Sequence, residues 1–416
     1  MALRVINVPS PYSRLPTPYS PLPTPVNPSR LRALNDEYRT MLLDDIMPFW
    51  MRYAPDHEHG GFLHHLDREG RVYSTDKGVW IQCRAVWMLS TLYNTVEKRQ
   101  EWLDAAASGY DFVTRHAFDE DGRMFFLLTR EGVPLRKRRY LFSESFGAIA
   151  CNAFGRAAGD DAAVERGAAI FRTLLRHHTT PGLLEPKLYP AARDLKSHAM
   201  PMIILATAQE LRAGSRSSDY DTIAAASVEE ILRDFVKPEI PALLEHVARD
   251  GSRVDVPAGR LVNPGHAIET SWFLMREARR NGDEALIDRA CDILDWSLAL
   301  GWDDEYGGLF SFVDCDGWPC EQLEWDMKLW WPHTEALYAL LLAHHLTGDT
   351  RYEEWFERIH EYTMTHFPDP DHGEWFGYLH RDGTVSHTLK GGLWKGPFHV
   401  PRALLNLVHL TEEMVV

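Results

Sequence analysis

The chain has 416 residues, 45% of them hydrophobic, with a formal net charge of -16 and five cysteines. That length admits one large domain or two to three ordinary ones, and that apolar content supports a substantial core. The acidic balance excludes a nucleic-acid or anionic-membrane surface, and no apolar run approaches the roughly 18–20 residues of a membrane span. The N-terminus lacks the charged start, apolar middle and small-residue cleavage site of a signal peptide. Cys83, Cys151, Cys291, Cys315 and Cys320 are scattered, with no CxxC pair or zinc spacing. A cytoplasmic protein without a metal site is expected.

Residues 1–29 repeat Pro with Ser, Thr and Tyr (PSPYSRLPTPYSPLPTPVNPS). Pro at this density blocks helices and sheet ladders, which predicts a disordered tail over 1–29. From residue 30 the apolar residues recur at helical spacing. Leu31, Leu34, Tyr38, Leu42 and Ile46 form one stripe; Trp80, Cys83, Val86, Trp87 and Ser90 another. Met200, Ile203, Ile204, Thr207 and Leu211 continue the pattern, as do Leu337, Leu340, Leu341 and His344.

Four extended pieces between these helices resemble one another: HGGFLHHLDREGRVY, DGRMFFLLTREGVPL, YGGLFSFVDCDGWPC and HGEWFGYLHRDGTVS. Each carries Gly, an aromatic-rich alternation and an acidic-Gly turn, the signature of a β-hairpin. Their first glycines are Gly60, Gly122, Gly307 and Gly373, about 62 and 66 residues apart within pairs and about three such units between them. Six helix pairs of this period predict an all-α fold, an (α/α)6 barrel with β-hairpin loops at one rim. An open helical solenoid has the same period; hairpins this aromatic favour closure around a cleft. No linker interrupts 30–416, so a single domain is expected there.

Polar residues crowd the starts of several helices. Trp80, Arg84 and Trp87 share one face, where Arg84 either donates to a ligand or stacks on Trp as scaffold. His198 opens an otherwise apolar helix, a position that suits a hydrogen-bonded core histidine or a site residue. In NPGHAIE, Asn263 caps a helix and Pro264 takes its first position, putting His266 and Glu269 on one face. That pair serves as a tuned base, or Glu269 merely complements the helix dipole. EWDMKLWWPHTEA and KGGLWKGPFHVPR bring Trp331, Glu335, Trp394, Lys395, His399 and Arg402 into the last third of the chain. Aromatic faces interspersed with charged donors and acceptors suit a sugar, although Trp residues also plug helical cores. Phosphate loops, GxGxxG after a strand, HExxH and GxSxG are all absent from the sequence.

The segments KGVWIQCRAVWM, LFSESF, NPGHAIETSWFL, GWDDEYGGLF, QLEWDMKLWWPHTEA, GEWFGYLHRDG and KGGLWKGPFHVPR resemble the N-acylglucosamine 2-epimerase (renin-binding protein) family. The resemblance runs from about Asp44 to Leu404 and is poor over Ala213–Arg260. KLWWPH followed by Thr-Glu-Ala looks like the N-acylglucosamine branch rather than the cellobiose 2-epimerases or mannose isomerases. It implies an (α/α)6 barrel that interconverts N-acetyl-D-glucosamine and N-acetyl-D-mannosamine without a cofactor. It also implies a homodimer, with ATP an effector of some members. His266 and His399 would be the catalytic pair, with Arg84, His198, Glu269 and Glu335 as polar support. Trp80, Glu335, Trp331, Trp394, Lys395 and Arg402 are the expected substrate contacts, with no metal. The competing expectations are a 2-epimerase of non-acetylated sugars, an aldose–ketose isomerase, a glycoside hydrolase using Glu269 and Glu335, and a non-catalytic binding protein.

Overall fold

The computed structural model describes residues 27–186, 188–215 and 217–415. Its helices are α1 (Pro28–Thr40), α2 (Met47–Tyr53), α3 (Val79–Thr95), α4 (Gln100–His116), α5 (Phe142–Ala158), α6 (Asp161–Thr179) and α7 (Ala199–Arg212). They continue as α8 (Asp219–Glu230), the short α9 (Pro257–Arg260), α10 (Pro264–Asn281), α11 (Glu284–Gly301), α12 (Trp330–Thr347), α13 (Thr350–His366) and α14 (His399–Val415). The expected tail ends earlier than residue 29, because the Asn27 side chain accepts from Ser29 N at 3.0 Å and Pro28 takes the first helical position. The rest of that tail lies outside the described residues. A π-helical turn, Met41–Ile46, joins α1 to α2. Pro48 follows it and cannot donate the next helical hydrogen bond, which favours a widened turn.

Helices α3, α5, α7, α10, α12 and α14 form an inner ring, and each packs on an outer partner: α4, α6, α8, α11, α13 and α1. Burial follows this placement. The first twelve residues of α3 are all buried, whereas α4 buries only one stripe. An inner helix faces the cavity on one side and an outer helix on the other, so it reads as apolar nearly all round. The described structure is thus the expected toroid of helix pairs.

Short strands gather where the inner helices begin. The first hairpin pairs β1 (His65–Leu66) with β2 (Val72–Ser74). Next, β3 (Lys77–Gly78) leads into α3 and pairs with β4 (Leu127–Leu128), which also pairs with β5 (Pro134–Arg136). The two later expected hairpins pair differently. Of β6 (Leu195–Ser197), β7 (Val236–Lys237), β8 (Ala242–Leu243), β9 (His246–Ala248), β10 (Leu261–Val262), β11 (Val313–Asp314), β12 (Lys328–Leu329) and β13 (Tyr378–Leu379), the pairs are β6–β9, β7–β8, β10–β11 and β12–β13. A strand entering an inner helix therefore grips the following hairpin arm and stitches neighbouring units together. Lys390 N and Gly391 N bond to Leu66 O, which carries the stitching from the last unit to the first.

Buried ion pairs lock the same seams. Asp56 holds Lys77 Nζ at 2.9 Å and Arg130 at 2.8 Å; Asp303 holds Lys328 and Arg381, each at 2.9 Å. Asp369 holds Lys390 at 2.9 Å and Arg68 at 2.7 Å, across the point where the ring closes. In each case the Asp follows an outer helix, the Lys precedes an inner one, and the Arg comes from the next hairpin. A second latch holds the main chain of the first three of the four hairpins. Phe62 N donates to Gln82, Met124 N to Glu144 and Leu309 N to His333 Nε2. Substituting Asp56→Asn strips the fully buried Lys77 of its counter-charge, while Arg130 keeps Glu58 at 3.1 Å, and should cost about 3–5 kcal/mol of unfolding free energy. The exposed control Asp111→Asn, which breaks the pair with Arg115, should cost under about 1 kcal/mol. Equal urea midpoints for the two variants would refute the clasp as a stabilising device.

Candidate active site

A cavity of about 760 Å³ runs down the inner ring. At its hairpin end it is lined by Trp80, Arg84, His266, Glu269, Trp331, Trp394, His399 and Arg402. The first turns of α10, α12 and α14 supply His266, Trp331 and His399. The cap that starts α10 fixes the first of these, since Asn263 Oδ1 accepts from His266 N at 3.0 Å.

Each histidine is tethered through Nδ1 to a buried carboxylate. His266 Nδ1–H donates to Glu245 Oε1 at 3.0 Å, and His399 Nδ1–H donates to Glu335 Oε1 at 2.8 Å. A carboxylate only accepts, so each tether places the ring proton on Nδ1 and leaves Nε2 for chemistry. The Trp331 ring lies between them, its centre 5.2 Å from His266 and 5.7 Å from His399.

The two dyads differ in how tightly they hold a proton. Burial alone would push the His266 imidazole down, but the Glu245 carboxylate outweighs it and raises the imidazole above its ordinary value. His399 is driven well below its ordinary value, first by burial and then by the Arg402 and Arg84 cations. The cavity therefore sets a His266 that holds its proton more tightly than an ordinary imidazole against a His399 that holds one less tightly, a difference that suits an acid and a base.

Arg402 anchors the His399 side. Its guanidinium donates to Glu269 Oε1 at 2.6 Å and to Glu335 Oε1 at 2.7 Å, while Trp272 Nε1 donates to Glu335 Oε2 at 2.9 Å. Donor atoms of Glu269, Glu335 and His399 lie within 4.8 Å of one another, the spacing of a cation site. The cation bonded to both carboxylates is Arg402 itself. Arg84 is held on aromatic faces, its guanidinium carbon 4.1 Å from the Phe146 ring centre, 4.6 Å from Phe398 and 5.0 Å from Trp80. Its buried Nε has no hydrogen-bond partner. Burial, then repulsion from Arg402, pulls its pKa down to about 9.

A family profile described as N-acylglucosamine 2-epimerase matches residues 60–401. The N-acylglucosamine 2-epimerase of Bos taurus is 40% identical to the chain, over 92% of each. The chain belongs to the N-acylglucosamine 2-epimerase family. More distantly, the cellobiose 2-epimerase of Bacteroides fragilis is 24% identical, over 90% of this chain and 98% of its own. The solved structure of cellobiose 2-epimerase from Bacillus thermoamylovorans superposes with a TM-score of 0.80 at 20% identity, covering 91% of this chain and 99% of that one.

Against this family frame, Trp80, Arg84, His266, Glu269, Trp331, Trp394, His399 and Arg402 all reach the cavity wall. Three expectations need correction. His266 takes Glu245 as its partner, not Glu269, which is drawn instead to Arg402. Glu335 is a tether behind His399, and its two oxygens are already engaged. Lys395 is buried away from the wall, donating to Glu374 Oε1 at 2.8 Å and Lys390 O at 2.9 Å. His198 lies fully buried behind the other dyad, Nδ1 3.8 Å from Glu245 Oε1 and Nε2 3.1 Å from Thr270 Oγ1. It is placed to position Glu245, not to touch a ligand. Glu245 itself escaped the sequence reading. Its one signal is a carboxylate inside the apolar run ALLEHVA, in the stretch where the family resemblance is poorest.

The opposite shifts of the two imidazoles predict a pH profile if both take part in turnover. Activity should fall on the alkaline side as His266 loses its proton, above the ordinary histidine range. On the acid side it should fall only below that range, as His399 gains one. Glu245→Gln removes the charge that holds the His266 proton, so its alkaline limb should move to lower pH. An unmoved limb in a kcat/KM profile would break the assignment.

Proposed function

We propose that this carbohydrate epimerase interconverts N-acetyl-D-glucosamine and N-acetyl-D-mannosamine by moving the C2 proton of the open-chain sugar. The observation that carries the reading is the pair of histidine–carboxylate dyads against Trp331, one imidazole held above its ordinary pKa and the other below it. The 40% identical relatives named for this reaction support the substrate over cellobiose, whose epimerase stands at 24%.

A C2 hydrogen is acidic only beside a C1 carbonyl, so the ring must open first. In the open form, His399 Nε2 takes the C2 proton while the C2–H electron pair moves into a C1–C2 double bond. The negative charge settles on O1. Arg84, a desolvated cation with a free Nε–H, is the donor for that oxyanion, and such a contact is worth most where water is excluded. His266, protonated through Glu245, returns a proton to C2 from the opposite face and inverts the centre. His399 now holds a proton and His266 none, which is the state that the reverse reaction needs. Each general acid or base of this kind contributes about 10²–10⁴-fold.

No step in this scheme calls on a redox cofactor or a metal. The hydrolase alternative needs two carboxylates flanking a bond with water access. Glu269 and Glu335 instead share one guanidinium on one wall.

Proton NMR in D2O with N-acetylmannosamine, mannose and cellobiose in separate tubes tests the proposal. Deuterium at C2 of N-acetylglucosamine formed from N-acetylmannosamine is expected, and His266→Asn and His399→Asn should each lower turnover by about 10²–10⁴-fold. A ketose product would make the chain an isomerase; epimerisation of mannose or cellobiose alone would move the substrate; no exchange in any tube would end the reading.

A further inference from the structure

Against Trp394, a residue of the cavity wall, stands a guanidinium that the reaction scheme does not use. Arg138 lies between β5 and α5, in the run Leu135–Tyr140 that reads LRKRRY. Its guanidinium carbon lies 4.1 Å from the Phe126 ring centre, 5.1 Å from Tyr140 and 5.2 Å from Trp394. Trp394 lines the cavity and is 43% exposed, so the ring carrying Arg138 is open to solvent. Trp394 in turn sits 5.2 Å from Trp80, and Trp80 carries Arg84 5.0 Å further on. A ladder of two indoles thus links one cation at the lip to another beside the dyads.

The cations on either side of Arg138 are spoken for. Lys137 bonds Asp119 and Asp121 at 2.6 Å, and Arg139 donates to Pro186 O at 3.1 Å with Glu185 3.9 Å away. Among the described residues no carboxylate pairs with Arg138; its polar neighbour is the Tyr140 hydroxyl. This holds in a chain where 60 acidic residues face 44 basic ones. The exposed Glu324 also lines the cavity, but on the loop that leads into α12. A guanidinium held over aromatic rings is kept in place by them and still has N–H groups to offer, which can meet a planar oxyanion with two parallel hydrogen bonds.

We propose that Arg138 is a specificity-determining residue that makes the cavity mouth a subsite for an oxyanion, a phosphate or a carboxylate, borne by an acylamino sugar. The sugar in this statement rests on the function proposed above; the oxyanion rests on Arg138. Open-chain alditols, which have no C1 carbonyl and cannot be epimerised, separate the two. Calorimetry would compare N-acetylglucosaminitol, its 6-phosphate and N-succinylglucosaminitol on the wild-type chain and on Arg138→Gln. At least one anionic alditol should bind the wild type about tenfold more tightly than the neutral one. That ratio should shrink with added salt and collapse towards one in Arg138→Gln. A preference for the phosphate or for the succinyl carboxylate identifies the source of the oxyanion. Equal binding of all three alditols by the wild type, or a preference that survives Arg138→Gln, overturns the proposal. Binding that behaves as expected in a chain showing no C2 exchange would sink the epimerase reading and leave the subsite standing.

Discussion

Everything at the mouth of this barrel depends on buried aspartates that each hold a lysine and an arginine. A ring of helix pairs has few covalent constraints on how its members are staggered, yet His266, Trp331 and His399 must face one another from the ends of three different inner helices. Apolar packing between helices tolerates sliding. A lysine ammonium with no exposed surface does not, because any shift that lengthens its contact leaves a charge unpaired in a low-dielectric interior. The clasps at Asp56, Asp303 and Asp369 therefore set the register of the rim as well as adding stability.

Upon that frame the site makes two nearly identical groups behave differently. Both histidines sit in the first turn of an inner helix and both bond a carboxylate through Nδ1. What separates them is the second neighbour. Glu269 bears on both rings, whereas the cations Arg402 and Arg84 bear on His399. Cations placed on one side only thus pull the two imidazoles apart in proton affinity. The pairing of Arg402 with two carboxylates lets that cation stay buried beside a neutral imidazole.

The repeat of hairpins and the helical periods made the barrel legible before any coordinates, because each unit carries the same turn chemistry. Residues on the wall were legible for a similar reason: Trp, His and Arg at helix starts are poor core material, and most of them do face the cavity. Partnerships were not. The sequence pairs His266 with Glu269 by helical spacing, but the tether comes from Glu245 on an irregular segment that no period governs. Lys395 sits beside Trp394 in sequence and points the other way, into Glu374. Buried lysines and the hairpins' cross-unit pairing were hidden too, since both depend on contacts between units that sequence order alone does not reveal.

The clasp at Asp369 and Arg68 has one more consequence. It joins the last unit to the first with the same chemistry as the clasps inside the chain, while Asn35 of α1 donates to Val408 O and Thr411 Oγ1 of α14. Physically the ring has no first unit. α14 and α1 pack as one helix pair without a connecting loop, where short loops join the other five pairs. Linking the ends of α1 and α14 and reopening the chain at an exposed hairpin tip would leave the contacts of the ring as they are, so this architecture is suited to circular permutation.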